Sequence, residues 1–294
     1  MNNSISETHL ISIIIVNYNG LNYTQQCIES LFRFHSAEAF EVIVVDNNST
    51  DGSVELLEKQ FPDVTVCKLG SNKGFGSANN YGVKQSHGDY LFILNNDTII
   101  ESNIFPEMVS MLKEDQTIGV IAPQLKNPDG SIQLSYGKFP SLKNEYTTRK
   151  QQAGSRNFNP LSDSTSGQID WVTAAAMFVR RDAFEKAGGF DEQYFMYFED
   201  IDLCKRIGDL GYKILYYPKT SLIHIGGGSK SNSVNGKIQI EYRKSQLLYY
   251  VKHQTLLQQF LLKAYLFIKY GVQTLVKKNE DSRAAKEIVR LIFR

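Results

Sequence analysis

The strongest constraint on the fold is a series of short, β-branched apolar segments that end in Asn, Asp, Gly or Ser. Within the first hundred residues these segments are LISIIIVNYNG, FEVIVVDNNSTDGS, VTVCKLG and YLFILNNDTII. Such runs are typical of parallel strands that are buried on both faces of a sheet. Apolar residues at helical spacing lie between them, which predicts helices over 23–34, 54–60 and 78–85. We therefore expect an α/β protein with an open, mostly parallel sheet and flanking helices.

The pattern changes in the second part of the chain. Residues 126–169 are rich in Pro, Ser, Asn and Gly, which predicts a long loop or a lid. Regular patterns then return, with a strand after TAAA, a short helix from Asp182 to Ala187 and a strand YKILYYP that is closed by Pro218. Long helical patterns follow HIGGGS. We expect one α/β domain over 1–236 and a helical extension over 237–294.

The charge is divided unevenly along the chain. The whole sequence has 32 basic and 31 acidic residues, but residues 237–294 hold twelve basic and four acidic ones and so carry +8. A basic tail on an acidic body predicts an anionic partner. No nucleic-acid-binding motif accompanies the charge, so we expect no nucleic-acid partner. The two alternatives are an interfacial helix on an anionic membrane surface and a helix packed on the domain with a solvated basic face.

The number and spacing of the cysteines indicate which cellular compartment the protein is expected to occupy. Cys27, Cys67 and Cys204 are odd in number and far apart, which argues against a disulfide framework and a Cys-rich zinc site. The N-terminal apolar run has no basic segment before it, so it is interpreted as a strand rather than a signal peptide. We expect a cytoplasmic protein whose tail offers peripheral contact with the inner face of the cell membrane.

Polar residues end several predicted strands, where ligands bind in open α/β sheets. Asp46 could accept a hydrogen bond from a pyrimidine N–H or a ribose hydroxyl, or could simply begin a turn. In GSNKGFGSANN three glycines surround Lys73 directly before a helix, so backbone N–H groups and a cation could approach phosphate. The spacing matches neither the dinucleotide fingerprint GxGxxG nor a P-loop.

The segment LFILNNDTII ends in three polar residues, Asn95, Asn96 and Asp97. Their oxygens suit Mg²⁺ or Mn²⁺ bridging a diphosphate, although the same residues are common in turns. His224 stands between apolar neighbours and before three glycines. It is either a hydrogen-bonded core residue or a ligand.

Three carboxylates, Glu199, Asp200 and Asp202, crowd the segment FMYFEDIDLCKRIGDLGY. On one interpretation they occupy the first turn of a helix, where the dipole favours negative charge. On the other, one of them is a general base, because a carboxylate near other carboxylates has a raised pKa.

Taken in order, seven motifs resemble the family 2 glycosyltransferases with the Rossmann-like GT-A fold. They are VNYN, VVDNNSTDGS, NKGFGSANN, NNDT, WVTAAAMFVRR, GGFDEQYFMYFEDIDLCKRIGDLGY and HIGGGS. The resemblance covers about Leu10 to Ser229 and is greatest to the rhamnosyltransferase-like branch that builds bacterial surface polysaccharides. It implies a nucleotide-sugar-binding half over 1–125, a lid over 126–169 and an acceptor and catalytic half over 170–236.

The activity implied by the resemblance is an inverting, metal-dependent transfer of a sugar from a nucleotide donor. dTDP-L-rhamnose is the first expected donor and a UDP-hexose is the alternative. The expected acceptor is a glycan or a polyprenyl-diphosphate-linked sugar. Two rivals are a sugar nucleotidyltransferase, which needs a glycine-rich basic N-terminal loop where this chain has NYNG, and a catalytically degenerate, membrane-associated glycan-binding scaffold.

The resemblance also implies residue roles. The residues implied to bind the nucleotide sugar are Asn17, Tyr18, Asp46, Asn48, Lys73, Asn95 and Asn96. Asp97 matches the last position of the family's Asp-x-Asp motif and, with His224, would hold Mn²⁺ or Mg²⁺. Asn95 replaces the first Asp of that motif, which removes one negative charge.

For the reaction itself, the resemblance implies that Asp200 is the base that deprotonates the acceptor hydroxyl. Glu199 would be its orienting neighbour, and Asp202 is expected to be a helix-surface partner of Arg206. Trp171 and Tyr197 would contact the acceptor.

Overall fold

The computed structural model describes residues 11–34, 40–144, 166–226, 235–276 and 280–293. The strands are β1 (Ile11–Asn17), β2 (Phe40–Asp46), β3 (Val64–Lys68), β4 (Tyr90–Asn95), β5 (Thr98–Ile100), β6 (Ile118–Lys126), β7 (Ile132–Gln133), β8 (Tyr136–Gly137), β9 (Gly167–Ile169), β10 (Trp171–Val172), β11 (Ala176–Arg180) and β12 (Lys213–His224). The helices are α1 (Leu21–Phe34), α2 (Ser53–Gln60), α3 (Phe75–Lys84), α4 (Phe105–Glu114), α5 (Arg181–Lys186), α6 (Glu199–Asp209), α7 (Asn235–His253), α8 (Leu256–Val276) and α9 (Glu280–Ile292).

One open sheet organises the domain. Its described strands follow the order β3-β2-β1-β4-β11-β6-β12-β5, with β7 beside β6 and β9 beside β12. The first four strands are parallel, as the apolar runs predict, and β11 is antiparallel to both of its neighbours. The carboxyl ends of β1, β2 and β4 therefore lie together at one edge.

Helices cover both faces of the sheet. One core cluster joins the sheet to α1 and α4 through residues such as Leu31 and Phe105, and the other joins it to α3, α5 and α6 through residues such as Ala78 and Leu203. The expectation of a sheet with flanking helices is confirmed. Neither α4 nor β6 is anticipated by the sequence patterns above, and α3 begins at Phe75 rather than at residue 78.

Two predicted strands differ from the observed ones. The run YLFILNNDTII is divided, because β4 ends at Asn95 and β5 leaves to pair antiparallel with β12. Pro218 does not close β12, which continues to His224. The register with β6 shifts between Tyr217 and Ser221. Pro218, which has no backbone N–H to donate, therefore lies in an irregular stretch of the ladder.

The segment 126–169 carries short strands in its described part. β7 pairs with β6, β8 pairs with β10, and β9 pairs with β12. Residues 145–165, the centre of the predicted lid, lie outside the described residues.

The three helices of the extension pack on the domain through a third core cluster. Leu262, Leu266 and Ile288 of the extension share this cluster with Phe198 and Ile201 of the domain. Packing on the domain was one of the two alternatives for the tail. However, the exposed side of α8 is apolar, not the solvated basic face that this alternative assumed. No helix in the described ranges has the length and apolar character needed to cross a membrane.

Candidate active site

A cleft of about 1440 Å³ opens at the carboxyl ends of β1 and β4. On one side is the strand-end wall, which we define as the ends of β1, β2, β4 and β12 with the turns that follow them. On the other is the loop wall, residues 195–201, which leads into α6. Several residues predicted for the site line this cleft: Tyr18, Asn95, Asn96, Asp97, Trp171, Tyr197, Glu199, Asp200 and His224.

Asn17 and Asp46 lie beneath the strand-end wall. They are paired in the parallel register of β1 and β2, and both are buried. Asn17 Nδ2 is 2.8 Å from Asp46 Oδ1 and 2.8 Å from Ser53 Oγ, and Thr24 Oγ1 donates to Asn17 Oδ1 over 2.7 Å. Asn17 does not line the cleft, so its side chain positions the wall rather than touching a ligand within it.

Asp46 faces a smaller depression. The backbone N–H of Ser49 donates to Asp46 Oδ2 over 2.9 Å. Asp46 and Asn48 border a hollow of about 190 Å³ next to β3 rather than the main cleft. Asn48 itself is exposed in a left-handed turn with φ of 70°.

Asn47, the residue before Asn48, lines the main cleft, and sequence reasoning missed it. Asn47 Oδ1 accepts from the backbone N–H of Lys73 over 2.8 Å, and Asn47 Nδ2 donates to Asn72 Oδ1 over 3.0 Å. The Lys73 side chain is exposed and does not line the cleft. Asn47 thus fixes the glycine-rich loop, and the run of two asparagines after Asp46 was the available signal.

Asp97 and His224 meet across the strand-end wall. β12 pairs with β5 so that His224 stands opposite Thr98, and the backbone N–H of Ile225 donates to the carbonyl of Asp97 over 2.9 Å. This pairing brings His224 Nε2 to 3.1 Å from Asp97 Oδ1, with both side chains 15% exposed. Two predicted residues that are far apart in the sequence are therefore neighbours.

The surroundings of His224 orient its ring. His224 Nδ1 lies 2.6 Å from Gln133 Oε1, a pure acceptor, so Nδ1 carries the hydrogen. In the neutral ring Nε2 then presents a lone pair toward Asp97 Oδ1. Asn95 Nδ2, at 3.2 Å, donates to the same nitrogen. Gln133 was not anticipated, since nothing in its local sequence points to His224.

This donor set fits a divalent cation that is shared with a ligand. An imidazole nitrogen and a carboxylate oxygen that lie 3.1 Å apart could ligate one metal ion, which would replace the hydrogen bond from Asn95 to His224. Among the described residues no cluster of three or more His, Cys, Asp or Glu side chains could hold a metal. Asp97 and His224 can therefore supply only part of a coordination sphere, which is the usual arrangement where diphosphate oxygens supply the rest.

Glu199 and Asp200 open helix α6 on the loop wall. The backbone N–H groups of Ile201 and Ala174 donate to Asp200 Oδ1 and Oδ2 over 2.8 and 3.2 Å. Glu199 is buried, and its Oε2 has no hydrogen-bond partner among the described residues. The two neighbouring carboxylates thus have different surroundings.

Those surroundings shift the pKa values of Glu199 and Asp200 by different amounts. Burial, reinforced by the charge of Asp200, raises the pKa of Glu199 well above its ordinary value. Burial also raises the pKa of Asp200, but the N–H donors of Ile201 and Ala174 oppose that shift. Glu199 therefore holds a proton more strongly than Asp200, whose carboxylate accepts two backbone N–H groups and faces the cleft.

Asp202 is not the surface residue that was expected. Its Oδ2 accepts from Arg206 Nε over 2.8 Å, as predicted, but the side chain is buried and its Oδ1 is 2.6 Å from His253 Nε2 of α7. Burial acts to raise the pKa of Asp202, and the contacts with His253 and Arg206 outweigh it and lower the pKa. This cluster ties α6 to the extension.

The loop wall has an unusual backbone. Tyr197 and Phe198 have φ angles of 70° and 66°, which side-chain-bearing residues rarely adopt. Ser245 Oγ of α7 donates to the carbonyl of Met196 over 2.8 Å. The preceding carbonyl, that of Phe195, accepts from Phe75 N over 3.0 Å, close to Gly74.

Gly74 is required for that approach. A Cβ atom at this position would lie 2.3 Å from the carbonyl oxygen of Phe195. On the same side of the cleft Trp171 Nε1 donates to the carbonyl of Lys138 over 2.9 Å, and Tyr197 packs on the ring of Tyr242. An aromatic surface thus stands next to Asp200.

Comparison with known proteins gives a family match. The profile described as Glycosyl transferase family 2 matches residues 12–188 of the 294 in the chain. The match begins in β1 and ends just after α5. It spans the strand-end residues from Asn17 to Asp97 and stops before Glu199 and Asp200.

Two curated relatives are rhamnosyltransferases. The chain is 26% identical over 242 residues to the N-acetylglucosaminyl-diphospho-decaprenol L-rhamnosyltransferase of Mycobacterium tuberculosis H37Rv, with 74% of this chain and 76% of the relative covered. It is 27% identical over 231 residues to rhamnosyltransferase WbbL of Escherichia coli K12, with 73% and 83% covered.

Among solved structures, GalNAc-T7 with UDP, GalNAc and Mn²⁺ is similar with a TM-score of 0.59 and 16% identity. The match covers 82% of this chain and 48% of that one, so this chain spans about half of that protein. At this identity the likeness concerns the fold, and it confirms the GT-A architecture.

Proposed function

Since the chain belongs to glycosyl transferase family 2 and is a glycosyltransferase, we propose that it transfers L-rhamnose from dTDP-L-rhamnose with the aid of Mn²⁺ or Mg²⁺. The acceptor is a glycan or a polyprenyl-diphosphate-linked sugar, and the product belongs to a bacterial surface polysaccharide. The family match removes the sugar nucleotidyltransferase rival.

One observation carries it: Asp97, His224 and Asp200 all line a single cleft although 127 residues separate the first two and 24 the last two in the sequence. A donor diphosphate held near the first pair would place its sugar between the strand-end wall and the loop wall. A cation and a base on opposite sides of a bound sugar are what direct displacement at an anomeric carbon requires.

The donor side follows from the strand-end wall. Asp97 and His224 would hold the cation, which when bound supplies positive charge against the departing diphosphate. The neutral Asn95 reduces the charge available to hold a metal before the nucleotide arrives. Tyr18, which is 52% exposed beside the cleft, would cover the nucleoside. Asp46, which was expected to accept the same N–H from thymine or from uracil, borders the smaller hollow rather than the cleft, so it does not select the base and the UDP-hexose alternative is retained.

The acceptor side follows from the loop wall. The acceptor hydroxyl oxygen attacks the anomeric carbon and gives its proton to Asp200, while the bond from that carbon to the diphosphate oxygen breaks on the opposite face. One displacement of this kind inverts the anomeric configuration. Because the pKa of Glu199 is raised further than that of Asp200 is expected to be after its two N–H donors, Asp200 is the member of the pair that would accept the new proton. Trp171 and Tyr197 would stack on the acceptor sugar.

The relative from Mycobacterium tuberculosis is named for a decaprenol-linked acceptor, which supports a lipid-linked acceptor for this chain. Such an acceptor resides in a membrane. Peripheral attachment at the inner face of the cell membrane, through the basic extension, is therefore part of the proposal.

A thermal-shift screen of nucleotide sugars with and without Mn²⁺ tests the donor. A ligand at 100 times its Kd stabilises the folded state by about 2.7 kcal/mol. We expect the largest rise in Tm with dTDP-L-rhamnose and Mn²⁺ together, and a smaller rise with dTDP and Mn²⁺. A larger rise with a UDP-hexose would change the donor assignment to that sugar nucleotide. The absence of a metal-dependent rise with every nucleotide sugar would contradict the proposal.

Donor hydrolysis distinguishes an enzyme from a glycan-binding scaffold, an alternative raised by Asn95. We expect slow, Mn²⁺-dependent release of dTDP without acceptor. Transfer to a short acceptor, followed by NMR of the anomeric proton, then tests inversion, and a retained configuration would exclude Asp200 acting in a single displacement.

A further inference from the structure

Helix α8 is apolar on both of its sides, but the described chain covers only one. Leu262, Leu266 and Tyr270 are buried in the cluster shared with α7 and α9. The opposite side, here called the outer face, carries Leu257, Phe260, Leu261, Ile268, Val272 and Leu275, which are between 43% and 86% exposed. A helix that is apolar all round is normally buried on all sides or lies against lipid.

The outer face is continuous. Positions 257, 261, 268, 272 and 275 follow one another at intervals of three, four or seven, so they form one stripe on a helix of 3.6 residues per turn. The stripe is about 27 Å long at a rise of about 1.5 Å per residue. Ala264 and Gly271 lie within it, and no charged residue interrupts it.

Charge lies at the edges of the stripe. Leu256–Val276 contains no Asp or Glu and only two charged residues, Lys263 and Lys269. Helical rotation places these lysines on opposite margins between the buried side and the outer face, and both are half-buried. Lysines at such margins can extend their ammonium groups to phosphates while their stems remain on apolar surface.

We propose that the outer face of α8 inserts into the surface of an anionic membrane and lies parallel to it, with Lys263 and Lys269 at the headgroups. This deepens the proposed function, on which it rests for the lipid-linked acceptor. The observations favour lipid over a protein partner, because the stripe offers no hydrogen-bonding side chains and the extension carries a charge of +8. One side of α8 packs on α7 and α9 and the lysines lie at its margins, so a helix in this position lies along the interface with its outer face toward the lipid.

Helix α7 connects this surface to the cleft. Lys237 and Tyr242 of α7 line the cleft, and α7 ends at His253, three residues before Leu256 begins α8. From Tyr242 to the end of α7 the distance is about 17 Å along the helix axis. An enzyme held by α8 therefore keeps the loop wall within reach of an acceptor headgroup at the membrane surface.

Vesicle co-sedimentation of the full chain tests the proposal. The vesicles contain phosphatidylcholine alone or with phosphatidylglycerol. The test variant is Phe260→Glu/Ile268→Glu, and the control Gln60→Glu/Gln85→Glu makes the same change in charge at exposed positions of the domain. Because burying one large apolar side chain is worth about tenfold or more in affinity, we expect at least about tenfold weaker binding for the test variant. The control should stay within about twofold of the wild type, since its new charges are solvent-exposed, are screened by salt and leave the outer face unchanged.

Other outcomes decide against the proposal. Equal binding by the test variant and the control would overturn insertion of the outer face, and equal binding of the wild type to both vesicles would overturn the anionic requirement. If the wild type is a dimer in solution that the test variant dissociates, and it does not bind vesicles, the outer face is an interface between two copies. Thermal melting of both variants checks that they fold.

A second measurement distinguishes this proposal from the proposed function. The test variant should hydrolyse dTDP-L-rhamnose at the wild-type rate and lose activity only toward an acceptor presented in vesicles. If no nucleotide sugar is bound or hydrolysed while vesicle binding still depends on the outer face, the donor assignment fails and the membrane contact stands. If the folded test variant no longer hydrolyses the donor in the absence of vesicles, the outer face of α8 and the cleft are not independent, and this proposal is overturned.

Discussion

The two walls of the cleft are built in different ways. In the strand-end wall, Asn17 and His224 lie on strands and Asp97 lies in the turn between β4 and β5, so the register of the sheet sets where these side chains lie. In the loop wall, Asp200 follows two residues with positive φ angles, Tyr197 and Phe198. Such a backbone costs about 1–3 kcal/mol per residue and persists only where its surroundings hold it.

Those surroundings come from distant parts of the chain. Ser245 and Tyr242 of α7 contact the loop wall from one side, and the loop at Gly74 contacts it from the other. His253 then ties the start of α6 to α7 through Asp202. The comparison indicates that pairing within the sheet is enough to position Asn17 and His224, whereas the backbone next to Asp200 depends on contacts with the extension.

The largest effect is expected at the loop wall. Asp200→Asn keeps the shape but cannot accept the acceptor proton, so turnover should fall about 10²- to 10⁴-fold. The donor Kd, measured by calorimetry with Mn²⁺, should not change. Asp209→Asn is the control, because Asp209 is at the other end of α6 and pairs with Lys205 at the surface. Near-normal turnover of Asp200→Asn would exclude it as the base.

A smaller effect is expected at the strand-end wall. Gln133→Ala removes the acceptor that orients His224, and loss of such a partner typically weakens metal binding about 10- to 100-fold. The measurement is the Mn²⁺ concentration needed for half of the donor-induced thermal shift. Gln116→Ala, the same change at an exposed position before β6, should leave this concentration unchanged. An unchanged Mn²⁺ requirement in Gln133→Ala would indicate that His224 takes no part in metal binding.

Ser245→Ala tests whether α7 supports the loop wall. Loss of the hydrogen bond to the carbonyl of Met196 should lower the free energy of unfolding by about 1 kcal/mol. It should lower kcat by up to about fivefold while the donor Kd is unchanged. A rise of about 1 kcal/mol in the activation free energy corresponds to that factor. Lys244→Ala, at an exposed position of the same helix, is the matched control. A variant with altered stability and an unchanged kcat would show that α7 does not position the base.

The smallest effect concerns the pH dependence of stability. The folded-state pKa of Glu199 is raised, so above the ordinary glutamate pKa the folded chain binds a proton that the unfolded chain has released. Stability from this group is complete below the ordinary pKa and is lost as pH rises through the folded-state pKa. Glu199→Gln cannot titrate, so its Tm should decline less than that of the wild type between about pH 5 and about pH 8. Parallel Tm curves would contradict the raised pKa.

The strand-end wall was largely predictable. A continuous apolar run that ends in polar residues is a local signal of a buried strand with a ligand-binding end. The sequence predicts both Asp97 and His224 as site residues, and their proximity follows from the pairing of β5 with β12. Asn48 is a predicted site residue that the structure leaves exposed in a left-handed turn, and its neighbour Asn47, which was not predicted, lines the cleft. Gln133 could not be identified, because its partner lies 91 residues away.

The loop wall was only partly predictable. The sequence identified Glu199 and Asp200 through their crowding, but it treated Asp202 as a surface residue because a helix partner four residues away was the only local contact. His253 enters through tertiary packing. The interior path of β12 past Pro218 likewise depends on its pairing with β6, which no local pattern conveys.

From the order of apolar and polar residues alone, the sheet, its strand-end ligands and the chemical types present in the site can be inferred, since these depend on periodicities of a few residues. The protonation of Glu199, the support of Asp200 by α7 and the uncovered side of α8 arise only when segments far apart in the chain are packed together. Burial and long-range contacts decide those features, because the electrostatic cost of a charge and the exposure of an apolar side chain depend on what surrounds them in space.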